Sequence, residues 1–267
     1  MSNNKCPICQ SGREKIFRAK LLQKYEVDYF FCQNCGFLQT EKPYWLEEAY
    51  QNAIASTDTG LVVRNITISK KLTCILYYLF EKNGKYLDIA GGYGLLTRLM
   101  RDVGFDFYWS DLYCQNIFAN YFEASNTNNA FSAVTAFEVL EHLYDPVEFI
   151  SKSLESTECK TLIFSTQLFD GLPPAPNDWW YYAHETGQHI SFFQHKTLDF
   201  LAKQMSLNFY STSNYGLHIL TGKTINNRLF KILSGRLSKL LYEYISKRMK
   251  SKLFSDRDII LKQISTK

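Results

Sequence analysis

Apolar positions in the middle of the chain come in short runs bounded by polar or glycine residues. Tyr86-Leu87-Asp88-Ile89-Ala90, Phe105-Asp106-Phe107-Tyr108-Trp109, Ala133-Val134-Thr135-Ala136-Phe137 and Thr161-Leu162-Ile163-Phe164-Ser165 have the length and the β-branched or aromatic content of strands. Between them lie stretches of helical spacing, one from Leu95 to Val103 and one opened by Asp145-Pro146. Strands separated by helices imply βαβ units and a mainly parallel, two-sided sheet. Ligands of such sheets sit at the carboxyl ends of the strands. Upstream, Val63 to Phe80 places Ile66, Leu72, Ile75, Leu76 and Leu79 at helical spacing. Downstream, Leu233, Leu237, Leu240, Leu241 and Tyr244 are spaced for one face of an amphipathic helix, expected to dock on the body or on a second subunit.

This pattern predicts a cysteine-bearing module over 1–40, a helical connector over 41–75, an α/β core over 76–222 and a basic helical tail over 223–267. A chain of 267 residues holds one main core and a small satellite. At 46% hydrophobic and 21% charged residues the composition excludes a disordered chain. No apolar stretch is long enough to cross a bilayer, which sets the expectation of a cytoplasmic protein. Charge is uneven: residues 221–267 hold 12 Lys/Arg against 3 Asp/Glu, and the remainder 18 against 23. A basic end can attract nucleic acid or anionic lipid, but it is more often a solvated helix face, and a nucleic-acid partner is not expected.

Four of the seven cysteines form two Cys-x-x-Cys pairs, Cys6/Cys9 and Cys32/Cys35, separated by 22 residues; Cys74, Cys114 and Cys159 stand singly. Each pair puts two thiolates on a tight turn, and four such sulfurs suit tetrahedral zinc. The interval leaves room for a hairpin through Tyr25 to Phe31, as in a zinc ribbon. A redox dithiol or an iron–sulfur cluster is the alternative. A module this small buries little apolar surface, so the metal is expected to supply most of its stability.

Asp88-Ile89-Ala90-Gly91-Gly92-Tyr93-Gly94 stands where a strand turns into a helix, so its glycines let the backbone bend sharply and approach a ligand. The third glycine of a dinucleotide fingerprint is missing, and an acid beside the turn repels phosphate but suits a cationic, amino-acid-bearing ligand. Asp111, at the end of the second strand, stands where a carboxylate would accept hydrogen bonds from both ribose hydroxyls; it also fits a helix N-cap before Leu112. Here the chain resembles the class I S-adenosylmethionine-dependent methyltransferases, whose first motif reads Asp-x-Gly-x-Gly-x-Gly. Leu87 to Gly94 matches with one departure, Ala90 for the first glycine, and Ala136-Phe137-Glu138-Val139-Leu140-Glu141-His142 is similar to the family's fourth-strand sequence. The resemblance implies a Rossmann-like, doubly wound sheet of seven-stranded type behind the ribbon, with S-adenosylmethionine as cofactor. By the same likeness Asp88, Ala90, Gly91, Gly92 and Gly94 hold the methionyl part, Asp111 and Leu112 the ribose side, and Ala136 and Phe137 border the sulfonium. The cysteine pairs resemble the zinc-binding module that precedes the core in some methyltransferases of sugar and natural-product biosynthesis.

Methyl transfer from a sulfonium needs alignment of donor and acceptor and, for some acceptors, a base. Glu141 and His142 stand directly after the fourth strand, as base candidates or as caps of a helical turn. Pro173 to Ile190 carries three prolines and four consecutive aromatics, and is expected as a rigid lid whose Tyr181, Tyr182, His184, Gln188 and His189 suit a polyhydroxylated acceptor, the alternative being that the loop's aromatics only close a core. His189 and His184 complete the catalytic candidates. The expected activity is transfer of a methyl group to an oxygen or carbon of a small molecule, a sugar or nucleotide-sugar foremost, with an RNA methyltransferase or a non-catalytic nucleotide-binding protein as the rivals.

Overall fold

Strand and helix alternate through the computed structural model, which describes residues 5–51, 57–128, 130–212 and 216–265. In chain order the elements are β1 (Glu14–Leu21), β2 (Tyr25–Phe31), β3 (Leu38–Thr40), α1 (Leu46–Ala49), α2 (Leu61–Leu79), β4 (Lys85–Ile89), α3 (Leu95–Val103), β5 (Asp106–Ser110), β6 (Ala133–Phe137) and α4 (Pro146–Ser156). There follow β7 (Thr161–Ser165), β8 (Ser191–Phe192), α5 (His195–Gln204), β9 (Asn208–Ser211), β10 (Leu217–Thr221), α6 (Asn227–Ser234), α7 (Ser238–Ser246) and α8 (Leu253–Ser265). One sheet has the order β1-β2-β3-β8 and the other β5-β4-β6-β7-β10-β9. In the second, β4 is parallel to both β5 and β6, and β9 runs antiparallel to β10. This is the mainly parallel α/β sheet expected from the alternation, and the Rossmann-like architecture that the resemblance implied.

The sheet has six strands among the described residues, not seven. Beside β5, where a further strand would pair, there is a single parallel bridge from Trp109 to Glu123, with the Trp109 amide donating to the Phe122 carbonyl at 2.8 Å. An asparagine side chain takes the backbone there instead: Asn116 accepts from the Ala119 amide at 2.9 Å and donates to the Ala119 carbonyl at 2.8 Å. Local bonds of this kind offer the backbone an alternative to a ladder.

The chain divides into two compact units, one of residues 1–57, 137–153 and 162–224, the other of 58–136, 154–161 and 225–267. In the first, β1 and β2 form an antiparallel hairpin with Leu21 opposite Tyr25, and Leu22 and Gln23 turn it at φ +51° and +55°. Alternate residues Ala19, Leu21, Val27, Tyr29 and Phe31 face one side, as period two requires. They form a buried cluster with Trp45, Phe169, Trp179, Tyr181, Tyr182, Ile190 and Phe192. The cysteine module is therefore not a self-contained satellite: β8 extends its sheet, and aromatic residues from after β7 complete its core.

In the second unit the tail departs from the single amphipathic helix expected of it. It forms three helices, with Gly235 after the first. Phe230, Leu233 and Ile245 are buried, whereas Leu237, Leu240 and Tyr244 are exposed, so of the face the spacing marked Leu233 is buried, Leu241 half-buried and the rest exposed. Helices α6 and α7 pack on α2. Helix α8 is anchored by charge: buried Arg101 of α3 donates from Nε and Nη2 to the two carboxylate oxygens of Asp256, both at 2.8 Å, and Arg98 reaches Asp256 at 2.9 Å. The tail is a structural part of this unit.

Candidate functional site

Strand β4 ends beside a backbone bend in which Ala90, Gly92 and Gly94 take φ of +54°, +56° and +83°. Gly91 between them leaves no room for a side chain, since a Cβ would lie 2.8 Å from Asp88 Oδ2 and 2.9 Å from Trp109 Cδ1. The bend is tied to β5: the Gly91 amide donates to the Ser110 carbonyl at 3.1 Å, and Trp109 Nε1 donates to the Gly92 carbonyl at 2.9 Å. Asp88 is buried, and Thr135, its register partner on β6, donates to Oδ1 at 2.6 Å. Burial pushes the Asp88 carboxyl up to about 7, against the pull of the Thr135 hydrogen bond and with the help of the Asp111 charge. A carboxyl so placed is stabilised as an anion by an incoming cation.

Asp111 follows β5. Its Oδ2 accepts from the Gly92 amide at 2.9 Å, and its Oδ1 accepts from the amides of Tyr113 and Cys114 at 2.7 and 2.8 Å. No helix follows, so the N-cap expected of Asp111 is a hydrogen-bonded turn instead. The bidentate ribose reading also changes. A carboxylate offers about four acceptor directions, and with Oδ1 taken twice, Oδ2 keeps room for one further donor. Leu112 next to it is 90% exposed, and at the end of β6 Ala136 is buried and Phe137 half-buried. Residue spacing did not reveal Thr135 or Trp109; their signal is the register of β4 with its neighbours.

A second cluster lies in the first unit. Glu138, just past β6, is held at φ +55° with its amide on Ser165 Oγ at 3.0 Å and its carboxylate accepting from the same hydroxyl at 2.5 Å. Leu140 to His142 forms a 3-10 turn. Glu141 is 0% exposed, and neither carboxylate oxygen has a hydrogen-bond partner among the described residues. Burial first, and the Glu138 charge second, push its carboxyl up to about 8. His142 Nδ1 lies 2.9 Å from the Tyr50 hydroxyl and 3.2 Å from the Gln188 carbonyl, and His189 Nδ1 lies 2.7 Å from the Tyr181 carbonyl. The two rings meet edge to face with centroids 4.8 Å apart. One ligand atom from each of Glu141, His142 and His189 lies within 4.8 Å of the others.

His184 is not brought into this cluster. It stacks on Tyr182 at 5.3 Å and an interplanar angle of 3°, its Nε2 buried without a hydrogen-bond partner among the described residues, and burial lowers its pKa. The lid reading of Pro173 to Ile190 is corrected by the same packing. Tyr181, Tyr182 and Gln188 are buried, Tyr182 donating to the Pro174 carbonyl at 2.7 Å and Gln188 to the Ala49 carbonyl at 2.8 Å. Aromatic side chains that complete a core leave only Trp180, at 73%, well exposed among the four consecutive aromatics.

The two cysteine pairs are brought together. Cys6 Sγ is 3.5 Å from Cys35 Sγ, Cys9 Sγ is 3.4 Å from Cys32 Sγ, and all four sulfurs lie within 4.8 Å of one another. A tetrahedron with metal–sulfur bonds of about 2.3 Å has edges of about 3.8 Å, so the four free thiols fit that group. Each turn is closed by its own backbone, Gln10 N on Cys6 O at 2.9 Å and Gly36 N on Cys32 O at 2.8 Å, with Gly36 at φ +74°.

A family model described as a methyltransferase domain matches residues 67–211, more than half of the chain. No curated protein matches it. Among solved structures the chain is similar to TnmH at 14% identity and a TM-score of 0.47, over 68% of this chain and 62% of that one. It is similar to the plantazolicin methyltransferase BpumL in complex with SAH at 11% identity and 0.45, over 73% and 89%. A third likeness is to magnesium protoporphyrin IX methyltransferase (ChlM) from Synechocystis PCC 6803 with bound SAH, at 14% and 0.42, over 66% and 90%. The chain thus spans less than two thirds of the length of TnmH.

Proposed function

We propose, from the premise that this chain belongs to the methyltransferase-domain family and is a class I S-adenosylmethionine-dependent methyltransferase, that it methylates an oxygen or carbon of a small-molecule acceptor. The observation that carries the cofactor assignment is the buried Asp88 carboxyl beside a bend that admits no side chain at Gly91. When bound, S-adenosylmethionine supplies an electrophilic methyl group on a sulfonium. Asp88 would hold its ammonium end, and Asp111, already fixed by three amides, would take one ribose hydroxyl through Oδ2. Leu112, almost fully exposed next to it, would offer apolar surface to the nucleoside.

Acceptor activation is assigned to Glu141, His142 and His189, which together make a proton on the acceptor easier to lose. For His189 the Tyr181 carbonyl next to Nδ1 supports the tautomer that presents Nε2, and His142 Nδ1 is held between the Tyr50 hydroxyl and the Gln188 carbonyl. Within the acceptor class a sugar or nucleotide-sugar is the first to test, with exposed Trp180 as the flat surface for it. Cys6, Cys9, Cys32 and Cys35 would hold a structural zinc ion, supported by the mutual distances of their sulfurs.

Calorimetric titration of S-adenosylhomocysteine into the full chain tests the core of this reading. Binding is expected, with Asp88→Ala and Asp111→Ala each weakening it at least tenfold; an unchanged affinity in both variants would defeat the assignment. Incubation with labelled cofactor and candidate sugars, and with RNA as the competing acceptor, then identifies what is methylated.

A further inference from the structure

We propose that Glu141, His142 and His189 form a second metal site, for a divalent transition-metal cation, distinct from the four-cysteine site. Three observations carry it. One potential ligand atom from each side chain already lies within 4.8 Å of the other two. Ligands around a cation with bonds of about 2.0–2.2 Å stand roughly 3–4 Å apart, so the three atoms have to close by no more than about 1–2 Å. The Glu141 carboxylate is completely buried, and no described residue meets hydrogen-bond geometry at either oxygen, the Tyr181 and Thr166 hydroxyls being the polar side chains that act on it. A buried polar group left in that state costs about 1–3 kcal/mol, and a coordinated cation removes the cost. The imidazoles, finally, are each held at Nδ1, which leaves the opposite nitrogen to a ligand: His189 Nδ1 lies 2.7 Å from the Tyr181 carbonyl, and His142 Nδ1 lies 2.9 Å from the Tyr50 hydroxyl and 3.2 Å from the Gln188 carbonyl.

The donor set names the class of ion. Two imidazole nitrogens and one carboxylate suit zinc, iron(II), manganese(II), cobalt(II) or nickel(II), and fit magnesium or calcium poorly, since those want oxygen throughout. Glu138, whose charge acts on Glu141, makes the surroundings more negative and favours a cation further. Three protein ligands leave coordination positions open. An acceptor oxygen occupying one of them would have its proton acidified by the ion, which is how this trio would activate the acceptor. That use rests on the methyltransferase reading above, whereas the binding of the ion does not.

Cobalt(II) titration of the full chain, stripped of bound metal, distinguishes the two sites by colour. The four-cysteine site gives intense thiolate-to-metal charge-transfer absorption, and the nitrogen–oxygen site gives only weak ligand-field bands. Wild type is expected to show both. Glu141→Gln and His189→Ala should keep the charge-transfer bands while losing the weak ones, with cobalt affinity for the second site reduced more than about 100-fold, beyond what loss of a supporting outer group does. Retained charge-transfer absorption and an unchanged near-ultraviolet dichroism show that the variants are folded. A wild type with the thiolate site alone, or weak bands that survive in both folded variants, would overturn the proposal. Titration with S-adenosylhomocysteine is scored separately: cobalt bound at the second site without any nucleoside binding would sink the methyltransferase reading and leave the metal site standing.

Discussion

Ala90 occupies a backbone conformation at φ +54° that favours glycine. A side chain in the left-handed region costs roughly 1–2 kcal/mol, and glycine gives back about half of that through the extra freedom of the unfolded chain. Ala90→Gly should therefore stabilise the protein by about 0.5–1 kcal/mol, measured as a higher urea midpoint at unchanged slope. Two residues earlier, Asp88 couples the same bend to pH. Its carboxyl is raised by burial from the ordinary carboxylate range to about 7. Between pH 4 and 7 the folded chain then holds a proton that the unfolded chain has released, so this group's contribution to stability is complete below about pH 4 and is lost as pH rises towards 7. A bound ammonium favours the ionised form and reverses the preference. S-adenosylhomocysteine should thus bind more tightly at pH 8 than at pH 6 and release protons at pH 6, seen as a buffer-dependent heat that Asp88→Asn abolishes. What could be read from the sequence at this scale is what short spacing encodes: the cysteine pairs, the acid and glycines of one turn, Glu141 next to His142. His189 was readable as a candidate but its meeting with His142 was not, because that depends on how Gln188 and Tyr181 are buried.

Among the elements, the hairpin β1–β2 corrects an energetic expectation. Taken alone, the cysteine module has too little apolar surface to fold without metal. In the structure Val27, Tyr29 and Phe31 are buried with Trp179, Tyr182 and Phe192, contributed from far along the chain. Each fully buried aromatic side chain is worth about 2–3 kcal/mol in area removed from water, so the hairpin has support that does not pass through the sulfurs. Removing metal with a chelator should raise amide hydrogen exchange at Gln10 and Gly36, in the cysteine turns, while Val27 and Tyr29 stay protected; equal loss of protection at all four would restore the view of a metal-dependent module. The strands β4, β5, β6 and β7 lie within a residue of where alternation put them, since each is a complete local signal. The tail helices were less legible. Their exposed apolar residues, Leu240 and Tyr244 among them, imitate a docking face, whereas the contact that fixes α8 is a buried acid on two arginines, which no hydrophobic periodicity reports. Asp256→Ala would take from Arg101 its buried bidentate acceptor and leave it Asp106 at 3.0 Å and the Phe107 carbonyl at 2.8 Å, and a loss of about 1.5–3 kcal/mol is expected in denaturant unfolding.

At the scale of the whole molecule, neither unit is a continuous piece of chain. Each is assembled from three separated segments, with the chain passing from one to the other at residues 57, 136, 153, 161 and 224. Regions that read along the sequence as module, connector, core and tail are therefore not parts that separate in space, and cutting at their boundaries is expected to fail. The segment after Thr224 is the sharpest case, because as a basic tail it invites deletion to test for a nucleic-acid partner. Its removal would take Asp256 from Arg101, Ser238 from its contact with Cys74 at 3.4 Å, and α6 and α7 from the face of α2 where Leu72, Ile75 and Leu76 are buried. A chain ending at Thr224 should accordingly lose its cooperative thermal transition and, because β4, α3 and β5 belong to the same unit, its binding of S-adenosylhomocysteine. A soluble truncation that still melts sharply and binds the nucleoside would show the tail to be an appendage after all. Charge has to be tested without removing structure: reversing exposed Lys239 and Lys231 to glutamate leaves every one of these contacts in place, so any RNA-binding role would be read from the salt dependence of that variant against wild type.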